Sequence, residues 1–192
     1  MEGFKKFENF QVAAYVFAYY LNTAEEKDIQ KGIDFYKKHI HLDKVYIENH
    51  RGLVDIPVEK LRHVKELFEK NGIETAGGIT STVLVNGERK PSYYDTFCYT
   101  DPKERKLAQE IIELSASLFD EVILDDFFFT DCKCDLCVEA KGDRTWTEYR
   151  LELMNEAAQN VILKPAKKVK ATSRSTIGAA STSNSGILTI KK

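Results

Sequence analysis

The sequence predicts an α/β fold of the (β/α)8 TIM-barrel type, with the first four strand-helix units carried by residues 1–167. Three observations support it. Short apolar runs rich in aromatic and β-branched residues alternate four times with amphipathic stretches of helix length. The helix-to-strand links are short, whereas the strand-to-helix links are long. Those long links also hold the residues best able to do chemistry, as strand C-terminal ends do in parallel α/β folds.

Each element has its own signal. VAAYVFAYYL, residues 12–21, reads as a buried first strand, because it is rich in Tyr, Phe and Val and is too short to span a bilayer; a signal peptide behind Lys5 and Lys6 is the alternative. AEEKDIQKGIDFYKKHI, 24–40, places Ile29, Ile33, Phe35, Tyr36 and Ile40 at helical spacing and concentrates acids in its first turn. LDKVYIENHRG, 42–52, is a second strand, followed by a helix over 57–72 that starts at Pro57 and stops at Gly72. IETAGGITSTVLV, 73–85, is a third strand interrupted by a glycine pair, and 101–119 is a helix with Pro102 in its first turn. EVILDDFFF, 121–129, is the fourth strand, and 144–167 the fourth helix, ending near Pro165. Residues 168–192 are rich in Ser, Thr, Ala and Gly, lack aromatics and follow neither period. They read as a low-complexity tail that adds nothing to the fold, either natural disorder or the mark of a truncated or frameshifted chain.

Composition narrows the function classes. The 192 residues are 43% hydrophobic and 30% charged with a net charge of -2, enough apolar material for a core. The 28 Lys and Arg are interleaved with 30 Asp and Glu, which leaves no broad basic face for nucleic acid or an anionic membrane. Sugars, peptides and small molecules remain as partners. The chain as written favours a cytoplasmic location, with a secreted or periplasmic one open for a longer gene.

The chemistry concentrates at EVILDDFFFTDCKCDLC, 121–137. Adjacent Asp125 and Asp126 cannot face the same way at a strand end, so one enters the mouth as an acid/base candidate and the other braces the loop. The competing interpretation is that both only cap that loop. Phe127 and its two successors line a sugar-stacking surface or the core. Cys132, Cys134 and Cys137 form C-x-C-x-x-C, and with Cys98 they supply four thiolates for a closed, structural zinc site; free buried thiols and a disulfide are the alternatives. At the second strand end, Glu48, Asn49, His50 and Arg51 are placed to hold substrate hydroxyls or a carboxylate, against a surface salt bridge. Tyr15, Tyr19 and Thr80 lie on or near the first and third strands, in the wall of the substrate site or in the core.

FDEVILDDFFFTDCKCDLC resembles the fourth strand and following loop of TIM-barrel glycoside hydrolases and their relatives. Cys98 with C-x-C-x-x-C is similar to the structural cysteine zinc cluster of family 42 β-galactosidases. The resemblance covers roughly residues 10–167. It implies a carbohydrate substrate, hydrolysis by a carboxylate pair, and Asp125 or Asp126 as acid/base or nucleophile. In that clan the fourth strand ends in Asn-Glu, where this chain has Asp-Asp, and the second carboxylate comes from a seventh strand that these residues do not contain. The competing function is a non-catalytic, zinc-stabilised carbohydrate-binding or interaction protein.

Overall fold

The computed structural model describes residues 6–84, 93–125, 128–172, 181–182 and 188–190. Strand β1 (Ala13–Val16) leads into helices α1 (Ala18–Thr23) and α2 (Glu26–His39). Strand β2 (Lys44–Gly52) turns through β3 (Val54–Asp55) into α3 (Val58–Lys70). Strand β4 (Glu74–Val83) is followed by α4 (Pro102–Leu118), then β5 (Val122–Leu124), α5 (Asp135–Lys141) and α6 (Trp146–Ala157). A π-helical turn, Ala158–Leu163, joins α6 to α7 (Lys164–Thr172). Two short strands follow, β6 (Ser181–Thr182) and β7 (Leu188–Ile190).

β1, β2, β4 and β5 are parallel neighbours in chain order. Sequential parallel order with helical crossovers leaves one sheet face to the helices and the other free to become a barrel interior. β2 shows the division. Val45 and Ile47 are fully buried toward the helices, and the Asn49 amide donates to the Ile111 carbonyl of α4 at 3.2 Å. Tyr46 and Glu48 point the other way, where Tyr46 Oη meets Glu121 at 2.7 Å and Glu48 meets Tyr15 at 3.0 Å. The described strands form a mixed sheet: beyond β5 lies β7, antiparallel, with Val122 opposite Ile190, and then β6. That pairing occupies an edge whose N–H and C=O groups would otherwise stand open.

Adjacent glycines in β4 serve opposite faces. A β-carbon at Gly77 would overlap the Ser115 hydroxyl and lie 2.9 Å from the Phe119 ring, so its absence lets α4 close on the sheet. At Gly78 it would lie 2.7 Å from Tyr15 Oη, so its absence lets that phenol cross the inner face.

Three expected elements differ. The predicted strand over 12–21 is strand only at 13–16, and from Ala18 it is helix. Ala18 and Leu21 are fully buried while Tyr19 and Tyr20 are exposed, which is helical rather than alternating burial, and the Glu48 carboxylate accepts the Ala18 N–H at 2.6 Å. The predicted strand 121–129 is strand only at 122–124, with Asp125 N–H still bonded to the Ile79 carbonyl at 2.9 Å; Asp126 and Phe127 lie outside the described residues. The fourth helix does not end near Pro165. Proline supplies no N–H and its ring clashes with the carbonyl four residues back, and the π-turn immediately before it shifts that register so that helix continues to Thr172. The expected boundary at 167 thus falls inside α7, and β6 and β7 lie within the stretch expected to be tail.

Candidate functional site

Glu48 is the centre of the polar cluster at the strand C-terminal ends. Its side chain is completely buried, a position that an acid holds only when well partnered. Four groups supply donors. Tyr15 Oη reaches Oε1 at 3.0 Å, Thr80 Oγ1 reaches Oε1 at 2.5 Å, Ala18 N–H reaches Oε2 at 2.6 Å, and Arg51 Nε lies 3.0 Å from both oxygens. Register shifts in the β2–β4 ladder on either side of His50 bring Arg51 back over Glu48, three residues earlier.

Arg51 and Thr80 then turn to the next acid. Arg51 Nη2 lies 3.4 Å from Asp125 Oδ2, and Thr80 Oγ1 lies 3.3 Å from the same oxygen. Asp125, at the end of β5, is about three-tenths exposed, in contrast to Glu48. Burial opposes the Arg51 charge, but the hydrogen bond and charge of Glu48 outweigh it and hold the guanidinium above its ordinary value. Burial, and then the charges of Glu48 and Asp125, push the Tyr15 phenol well up, so Tyr15 stays a proton donor. The Phe17 ring covers Arg51 at 5.3 Å.

Asn49 and His50, expected at the substrate, are placed elsewhere. Asn49 faces α4, as strand alternation from Glu48 requires. His50 is 1% exposed, with Nδ1 2.7 Å from Asp55 and Nε2 2.7 Å from the Thr82 carbonyl. It ties β3 to β4 beneath the mouth. The hydrogen bond from His50 holds the Asp55 carboxyl below its ordinary range.

A cleft of about 180 Å³ opens over this cluster, lined by Tyr19, Arg51, Gly52, Thr80, Thr82, Leu84, Tyr94 and Asp95. A larger cavity, about 620 Å³, lies at the other end of the strands beside Lys44, Glu74 and Glu121. The smaller is the functional candidate, because ligands of parallel α/β folds bind beyond the strand C-terminal ends. Phe129 meets Tyr94 edge-on at 5.5 Å on the cleft's rim, whereas Phe128 meets buried Tyr99 at 5.7 Å. Asp95, Asp131 and the working role of Thr80 escaped the sequence analysis. The left-handed backbone of Asp95, φ 54°, is visible only in the fold and left no signal in the sequence.

The four cysteines do come together. All four Sγ atoms lie within 4.8 Å of one another. Cys98–Cys137, Cys134–Cys137 and Cys98–Cys134 are 3.4, 3.7 and 3.8 Å apart, and all four thiols are free. Cys134 occupies the N-cap position of α5 and Cys137 lies one turn later, which turns both sulfurs to one side at a helix N-terminus. Hydrogen bonds from Cys132 and then Cys98 hold the Cys137 thiol low, and the same interaction pushes Cys132 up. The cluster can hold a metal ion.

The family model described as "Probable glycosyl hydrolase, catalytic domain" matches residues 2–177. The "Uncharacterized protein SSO3021" of Saccharolobus solfataricus is 29% identical over 185 residues, which cover 84% of this chain. The chain spans about a third of that relative, 31% of its length. No solved structure matches the chain.

Proposed function

Since the chain belongs to the family of probable glycosyl hydrolase catalytic domains, we propose that its mouth cleaves a glycosidic bond with Asp125 as acid/base or nucleophile. The single observation that carries this is the Glu48–Arg51–Asp125 relay at the strand ends. Glu48 is sealed from solvent and positions; Asp125 is reachable and reacts. In the acid role its carboxyl proton passes to the glycosidic oxygen as the bond to the anomeric carbon breaks. Arg51 then faces the carboxylate left behind. Hydrolysis requires a second carboxylate across the scissile bond. Asp126, the next residue in the chain, belongs to this proposal from the sequence as the alternative to Asp125, as does Phe127 as a stacking ring; both lie outside the described residues. Tyr15 and Glu48 support the site, and Asn49 and His50 hold its scaffold.

The cysteine cluster is assigned to structural zinc. Tetrahedral thiolates about 2.3 Å from zinc stand about 3.8 Å apart, close to the separations found here and far from a disulfide's bond length. Bound zinc would supply a cross-link between the β4–α4 and β5–α5 loops. Four thiolates leave no position for a water, so the acid-base work stays with the carboxylates.

Assay on aryl glycosides of a form that carries a second carboxylate, and of its Asp125→Asn variant, tests the proposal. Loss of turnover by a factor on the order of 10² to 10⁴, with metal content and melting unchanged, supports it. Full activity in Asp125→Asn overturns it. If such a form binds sugars and cleaves none, the competing reading stands instead, a non-catalytic carbohydrate-binding protein.

A further inference from the structure

Asp95 lines the mouth cleft beside Arg51, Thr80 and Tyr94, and nothing described so far uses its carboxylate. Its backbone has a φ of 54°, in the left-handed region that a β-carbon disfavours. The surroundings hold it there from both sides. Its carbonyl accepts Val83 N–H at 2.7 Å, and the next residue, Thr96, pairs antiparallel with Thr82. Asp131 closes the clamp: Oδ1 accepts Thr96 Oγ1 at 3.1 Å and Oδ2 accepts Tyr93 N–H at 2.6 Å. Asp131 directly precedes Cys132, so the clamp is anchored on the thiol cluster.

The side chain held in this way is incomplete. Asp95 Oδ1 is buried and has no hydrogen-bond partner among the described residues. A buried carboxylate oxygen without a donor destabilises the fold, and proteins retain such groups where a ligand completes them. The cleft also indicates what that ligand is. Its guanidinium, Arg51, is already shared between Glu48 and Asp125, and the other polar side chains among its described lining residues are hydroxyls and the Asp95 carboxylate. A ligand rich in donors and free of negative charge fits them.

We infer that Asp95 is a substrate-binding residue that accepts a hydrogen bond from a ring hydroxyl of a neutral sugar, in a position fixed by the Asp131 clamp. The inference rests on the carbohydrate reading above and adds to it the charge class of the sugar and the residue that selects it.

The test is ligand-observed NMR titration of the full chain with the methyl glycosides of glucose, galactose, mannose and xylose, then with the monodeoxy forms of the best binder. Asp95→Asn keeps the shape and the left-handed backbone. It should bind roughly tenfold more weakly and melt at or above the wild-type temperature. One deoxy form should lose the same factor against wild type and nothing further against Asp95→Asn. If Asp95→Asn fails to fold, Asp95→Gly, which accepts any positive φ, should show the same loss of binding. Unchanged affinity in the variants, an equal further loss for every deoxy form, or a large fall in melting temperature for both variants overturns the inference and leaves the glycosidase reading standing. A wild-type chain that binds none of the glycosides overturns the carbohydrate reading, and this inference with it.

Discussion

Glu48 and Asp125 are both carboxylates at strand ends, and burial divides their roles. With no exposed surface and donors from a phenol, a hydroxyl, an amide and a guanidinium, Glu48 is a fixed electrostatic post. Glu48→Gln leaves the Arg51 charge half-buried opposite a neutral amide. We expect it to cost about 3 kcal/mol of stability, read from denaturant unfolding, with Asp125→Asn costing much less. The glycine pair gives a second prediction at this scale. Gly78→Ala pushes Tyr15 off Glu48, and Gly77→Ala pushes α4 off the sheet. Each should cost about 1–3 kcal/mol by overpacking, but only Gly78→Ala should also disturb sugar binding, because only it touches the inner face.

Among elements, the two long loops and the β2–β3 turn shape the mouth. The Thr100 hydroxyl joins Cys137 at 3.2 Å to Tyr149 at 2.5 Å, so α6 is fastened to the same cluster that fastens the loops. Metal removal by a chelator should therefore lower the melting temperature and speed proteolysis of both loops together. Cys134→Ser should lower metal content and stability while leaving Asp125 in place. The β2–β3 turn carries an acid dependence. The His50 hydrogen bond depresses the Asp55 carboxyl in the folded state, so its stabilisation is present above the unfolded value, about 3.9, and is lost as pH falls through the lower folded one. Stability measured across that window should fall less steeply in Asp55→Asn.

On the scale of the whole molecule, the core runs from Ala18 to Ala166 and is continuous across the sheet and α2, α3, α4 and α7. Among the residues whose burial is described, which end at Val169, none of its buried members lies beyond Ala166. We therefore propose that a chain ending at Thr172 keeps cooperative unfolding and its metal content, and that removing β7 exposes the β5 edge to self-association. Calorimetry and gel filtration of that truncation decide both points. Loss of the cooperative transition would show that the β5–β7 pairing is required for the fold. Among the described residues no helix is long and apolar enough to cross a membrane.

Local pattern was enough to read the parallel strand order, the helices at 26–39, 58–70 and 102–118, and the gathering of Cys98 with Cys132, Cys134 and Cys137. Periodicity, caps and thiol spacing act over a few residues, and a helix N-terminus brings Cys134 and Cys137 together without help from afar. Other features depended on contacts far apart in the chain. Ala18–Thr23 is helical because Glu48, thirty residues later, receives its first N–H. Asn49 faces α4 by strand alternation, whereas the ladder irregularity against β4 on either side of His50 re-aimed the strand end, and no single strand records its partner's register. Asp95 became a site residue only when β4, Asp131 and the cysteine loop closed around it. Tertiary packing decided which carboxylates are sealed and which can meet a ligand, because burial and donor supply are properties of the assembled mouth rather than of any segment.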